Sequence, residues 1–144
     1  MARLQATLTD PDYGLTITDE RGHTLKMDIP EDQGGHGSGF RPMQTLLAAL
    51  CGCSAVDVVS ILKKQRQSLD DLNIQVDGER QHGVEPALWE KVHLRFELKG
   101  QVEPAKAVRA VQLSMEKYCS VAETLRRAGA TITFDVMVNE MLIS

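Results

Sequence analysis

From Leu46 to Leu62 nearly every side chain is apolar or small. A helix that is apolar on all sides leaves no face for water, so the stretch Pro42–Arg66 predicts a buried central helix. Proline suits its first turn, where a missing N–H costs nothing. Lys63, Lys64 and Arg66 suit the negative end of its dipole. Elsewhere the period is two. Leu4, Ala6 and Leu8 alternate with Arg3, Gln5 and Thr7, which predicts a half-buried strand over residues 3–9. Tyr13, Leu15 and Ile17 alternate in a second strand. After the turn Asp19–Gly22, Leu25, Met27 and Ile29 form a third that pairs with it as a hairpin. Beyond the central helix, Leu69-Asp70-Asp71 reads as a turn and Leu72, Ile74 and Val76 as a fourth strand. Residues 78–90 read as a long hairpin connection, and Val92, Leu94, Phe96 and Leu98 as a fifth strand. Pro104 opens a second helix, amphipathic on Val108, Val111, Met115, Cys119, Ala122 and Leu125, with Ser120 at a cap or kink and Gly129 as its stop. Ile132 to Val138 make a sixth strand, and residues 139–144 a tail.

This order gives an α+β fold: antiparallel sheets packed on a long buried central helix, plus a second helix. One sheet covers only one side of the central helix. A second copy of the chain is expected on the other side, because an isologous contact doubles the apolar surface available. The length of 144 residues predicts a single domain over the whole chain. The glycine-rich loop 30–42 lacks the Gly-Lys-Ser/Thr of a phosphate loop and reads as a mobile lid over the helix start.

Composition narrows the partners. A net charge of −4 provides no basic stripe for nucleic acid. The first ten residues contain no apolar core of a signal peptide. The longest apolar run is broken by Cys, Gly, Ser and Asp, which argues for a core helix over a membrane span. The expectation is therefore a cytoplasmic protein with reduced thiols. Three cysteines is an odd count and argues against a disulfide framework.

Reactive groups cluster at the centre of the long helix: Cys51, Cys53 and Asp57. Cys51 and Cys53 are two positions apart on a helix, point to different sides and cannot bond to each other. Cys53 shares a stripe with Leu46, Leu50, Asp57 and Ile61, and Cys119 lies on the apolar stripe of the second helix. The two either pack as small hydrophobes or meet as an attacking and a resolving thiol in a redox cycle that needs no cofactor. Asp57, if it faced Cys53 unpaired, would hinder thiolate formation, so it is expected to bond elsewhere. A reactive thiolate needs a positive neighbour. The candidates are Arg3, Arg41 and helix-start amides. His23, His82 and His93 read as surface residues, and His36 lies in the glycine loop. None stands at metal-ligand spacing with a cysteine, so no metal is expected.

The stretch RPMQTLLAALCGCSAVDVVSILKK resembles the central helix of the OsmC/Ohr family, in particular its small bacterial branch. The later stretch AVQLSMEKYCSVAETL resembles that family's second cysteine helix. The resemblance implies an intertwined homodimer with two active sites near the interface, and thiol-dependent reduction of organic hydroperoxides or hydrogen peroxide. It implies that Cys53 attacks the peroxide, that Cys119 resolves it, and that a dithiol reductant restores the thiols. Cys51 stands where the branch has glycine. The peroxidase members carry a glutamate where this chain has Met43, and the branch carries one where this chain has Gln44. Gln44 and Arg3 are thus the candidate thiolate-stabilising residues. The alternative reading is a non-enzymatic OsmC-like protein that binds a small ligand or senses redox state.

Overall fold

The computed structural model describes residues 1–144. They form two compact units, Met1–Leu46 and Leu47–Ser144.

The N-terminal unit holds three antiparallel strands in the order β1 (Leu4–Leu8), β2 (Leu15–Asp19) and β3 (Thr24–Met27). Leu4 pairs with Asp19, and Leu15 with Met27. The expected alternation is present in β1, yet the strand is exposed along its length, with Leu4 66% and Leu8 57% accessible. Its apolar face is written in the sequence, but a single chain does not bury it.

The glycine-rich loop is tied down, contrary to the lid reading. Asp28 is buried, and its carboxylate gathers the loop. It accepts the Ser38 hydroxyl at 2.7 Å and the backbone N–H groups of Ile29, His36 and Ser38 at 2.7, 3.2 and 3.1 Å. Gly35 is required by close approach, since a Cβ there would collide with the Ile29 carbonyl. The bonds to Asp28, the Ser38 hydroxyl foremost, hold its carboxyl down to about 2 from an ordinary 3.8. A folded value below the unfolded one stabilises the fold above pH 3.8, and that contribution is lost as pH falls through about 2. Amide exchange at His36 and Ser38 should therefore accelerate across that window. Asp28→Asn should abolish the acid step and loosen both amides at neutral pH. An unchanged acid step in the variant would mean that another group holds the loop.

The helix α1 (Pro42–Lys64) runs on into the C-terminal unit. By length and composition alone it would cross a membrane, with a mean hydropathy of 2.0 over its most apolar window. In this fold one stripe of it is core: Leu50, Ser54, Val58 and Leu62 are fully buried. The opposite stripe of Ala48, Ala49, Gly52, Val56 and Ser60 is exposed. The expected all-round burial is thus half met within one chain, because the sheet and the later helices of this unit cover a single side.

The C-terminal sheet runs in the order β4 (Ser68–Arg80), β5 (Trp89–Gln101), β6 (Thr131–Val138) and β7 (Met141–Leu142). Val92, Leu94, Phe96 and Leu98 of β5 are buried with Val136 and Val138 of β6, and so are Ala107, Ala110, Val111, Met115, Ala122 and Leu125 from the helical segment. Three local expectations change. Leu69-Asp70-Asp71 is a bulge inside β4, where the register slips, and not a turn. Strands β4 and β5 each extend further than their apolar alternation, so the connection between them is shorter than residues 78–90. The tail contributes β7. Strands β4 and β5 form the expected antiparallel hairpin, whereas β5 and β6 are parallel. The helical segment between them is the crossover that a parallel pair requires.

Candidate functional site

Within the C-terminal unit, two backbone devices bring Cys53 and Cys119 together. The first is α1, whose buried stripe sets the helix rotation and leaves Cys53 half-buried on its flank. The second is a break in the second helix. The periodicity predicts one continuous element through Cys119. The structure has α2 (Pro104–Leu113), a π-helical turn over Ser114–Tyr118, Cys119 in extended conformation (φ −74°, ψ 104°), and then α3 (Ser120–Arg127). Cys119 is therefore not on a helical stripe. It is the residue that caps α3, buried within the break.

The first amides of a helix have no helical carbonyl to bond. Here sulfur takes one of them. The Ala122 N–H donates to Cys119 Sγ at 3.4 Å. The Ser120 hydroxyl lies 3.8 Å from Cys53 Sγ. The Glu123 N–H then makes the first helical bond, to the Cys119 carbonyl at 3.1 Å.

This arrangement makes the two sulfurs unequal. Partial burial pushes the Cys53 thiol up, but the Val121 amide, the Cys119 thiol and the Ser120 hydroxyl and amide outweigh it and bring it below the ordinary value. Burial pushes Cys119 up to about 11, and proton sharing with Cys53 adds to the rise. The two sulfurs are thus pushed in opposite directions, Cys53 down and Cys119 up. A thiolate beside a protonated thiol is what nucleophilic attack followed by disulfide closure demands. Burial also raises Cys51, and its own backbone amide only partly offsets the rise.

The other candidates fall into place around this pair. Asp57 does not bear on the thiol: its Oδ2 accepts the Ser114 hydroxyl at 2.9 Å. That hydroxyl comes from α2's π turn, a partner type the sequence did not suggest. Ser54 returns its own hydroxyl to the Leu50 carbonyl at 2.8 Å. Arg3 and Gln44 belong to the N-terminal unit. Arg3 is exposed, and its backbone N–H reaches Glu20 at 3.4 Å. Gln44 Oε1 accepts the Arg41 N–H at 3.4 Å, the reach-back bond of a helix cap. His23 and His36 pair with Asp19 and Asp12, each at 2.8 Å. His93, expected at the surface, is half-buried and bonds Thr133 and Asp135 at 2.6 and 3.0 Å.

Ser120 is the residue that the sequence undersold. Ser-Val-Ala-Glu over 120–123 is a capping-box pattern. It marks the helix start correctly to within one residue, but Cys119 is the cap. That shift frees the Ser120 hydroxyl for Cys53.

Residues 35–135 match the family model described as OsmC-like protein. Protein YhfA of Escherichia coli K12 is 42% identical over 129 residues, spanning 86% of this chain and 92% of that protein. The crystal structure of a hypothetical protein from Aquifex aeolicus VF5 superposes with a TM-score of 0.79 at 29% identity, covering 97% of this chain and 98% of that one. An organic hydroperoxide resistance protein OsmC from Legionella pneumophila shares the fold at a TM-score of 0.72 and 18% identity, over 96% of this chain and 97% of that one.

Proposed function

The chain belongs to the OsmC-like protein family, and on that footing we propose that it is a thiol peroxidase, reducing organic hydroperoxides or hydrogen peroxide through Cys53 and Cys119. The observation that carries this reading is the placement of the two thiols at the start of α3, Cys119 buried as its cap under the Ala122 N–H and Cys53 half-buried with the Ser120 hydroxyl 3.8 Å from its sulfur. The Cys53 thiolate attacks one peroxide oxygen. The O–O bond breaks, the alkoxide leaves and takes up a proton, and Cys53 becomes a sulfenic acid. The Cys119 thiol then attacks that sulfur; the S–S bond forms and water departs. An external dithiol reductant takes the disulfide back to two thiols. Sulfur carries every step, so the cycle calls for no cofactor or metal.

The same reading makes residues 1–144 one OsmC-like domain of an intertwined homodimer working in the cytoplasm, away from membrane and nucleic acid. The exposed α1 stripe from Ala48 to Ser60 and the bare face of β1 support the dimer. Arg3 and Gln44 keep a thiolate-stabilising role only if the assembled protein brings them to the sulfur.

The test is to give reduced protein one equivalent of cumene hydroperoxide and map its peptides without reduction. A Cys53–Cys119 disulfide is expected, with Cys51 left alkylatable. Folded protein with the two cysteines unlinked would rule the cycle out. The second reading, a small-ligand binder or redox sensor, draws on a groove of about 530 Å³ lined by Asp57, Ile61, Leu113 and Tyr118 among others. It predicts ligand retention without turnover, and indifference to Cys53→Ser.

A further inference from the structure

We propose that Ser120 is a positioning residue for Cys53, its hydroxyl donating a hydrogen bond to the Cys53 sulfur once that sulfur is ionised. The proposal rests on the reading of Cys53 as the attacking thiol. Ser120 is exposed, and neither its burial nor helix capping explains its hydroxyl. Its carbonyl serves the Thr124 hydroxyl at 2.8 Å, while its own Oγ has Cys53 Sγ as partner. The 3.8 Å separation is at the outer reach of a neutral thiol contact. Bonds to a charged acceptor are shorter and about twice as strong, so this one favours the thiolate over the thiol.

The backbone explains why the hydroxyl is there. Ser120 is the first residue of α3, and side chains on a helix lean toward its N-terminus. That direction is where Cys53 lies. Had the helix run unbroken through Cys119, residue 120 would have been one more position on a continuous surface. At the two sequence positions where the resemblance expects a carboxylate, Met43 and Gln44 bring no charge. The Ser120 hydroxyl is then a neutral donor within reach of the sulfur. The titratable groups on the elements around Cys53 are already engaged: Asp57 by Ser114, Glu123 by Arg126 and Arg127, and Cys119 by the Ala122 amide. Glu116 and Lys117 of the π turn are exposed.

The experiment is iodoacetamide alkylation of the reduced protein across the pH range, resolved to the Cys53 peptide. Ser120→Ala is expected to slow Cys53 alkylation at pH 7 by about 3- to 10-fold. The high-pH plateau, where every thiol is ionised, should not move. Ser120→Thr keeps the hydroxyl and should restore the wild-type profile. Superimposable profiles overturn the proposal, and so does a slowing that is equal at all pH values, which would mark a structural effect. Failure of threonine to restore the profile also counts against it. Alkylation needs no peroxide, so the two readings fail separately. A shifted profile without turnover removes the peroxidase and keeps the role of Ser120; an unshifted profile in an active enzyme removes Ser120 alone.

Discussion

Replacing Cys53 by serine is expected to bring hydroperoxide consumption down to background, a loss on the order of 10³-fold or more, as when an attacking nucleophile is removed. The serine oxygen is close in size, and Cys53 is only half-buried, so the fold should survive. What is lost is the ionisable sulfur: a hydroxyl at that place stays protonated even with the Ser120 hydroxyl beside it. Cys119→Ser should behave differently. Cys53 would still attack, giving a burst of one equivalent of peroxide per chain, and then stall at the sulfenic acid. Stopped-flow peroxide consumption with and without a dithiol separates the two variants. The wild-type rate constant for peroxide should rise with pH, with its midpoint below the ordinary thiol value, because the surroundings of Cys53 lower it. Full turnover by Cys53→Ser, or a plateau only where Cys119 ionises near 11, would assign the chemistry elsewhere.

Val56→Glu is expected to split the proposed homodimer. Val56 is 69% exposed and lies in the middle of the stripe of small and apolar residues on α1. In a two-fold interface one substitution appears twice, so two carboxylates would be brought together in an apolar seam. Uncompensated charges of that kind cost several kcal/mol each. The dissociation constant should rise by about 10³-fold or more, at roughly 1.4 kcal/mol per tenfold. Sedimentation velocity at micromolar concentration should show dimers for the wild type and monomers for the variant. A monomeric wild type, or a variant that remains fully dimeric, would place the covering of α1 elsewhere.

Much of the fold could be read before any coordinates. Val92 to Leu98 alternate because one side of β5 faces the core, and that side is buried in the structure. Alternation does not say which strand lies alongside, so the parallel partnership with β6 was not legible. Leu4, Ala6 and Leu8 show where the pattern can mislead. It reports a face meant to be covered, without reporting what covers it. Asp28 left no trace at all, since a carboxylate between Met27 and Ile29 looks like any polar strand residue. Its role depends on amides up to ten positions further along the chain.

The sequence by itself determined the long apolar helix with Cys53 at its centre and the strand alternation, because local period and composition suffice for these. Tertiary structure alone decided how the two cysteines are placed. The π turn and the extended Cys119 bury that thiol at the cap of α3 with the Ala122 N–H on its sulfur, and leave Cys53 half-buried against the Ser120 hydroxyl. That difference is a property of the space between two elements far apart in the chain, and no local pattern encodes it.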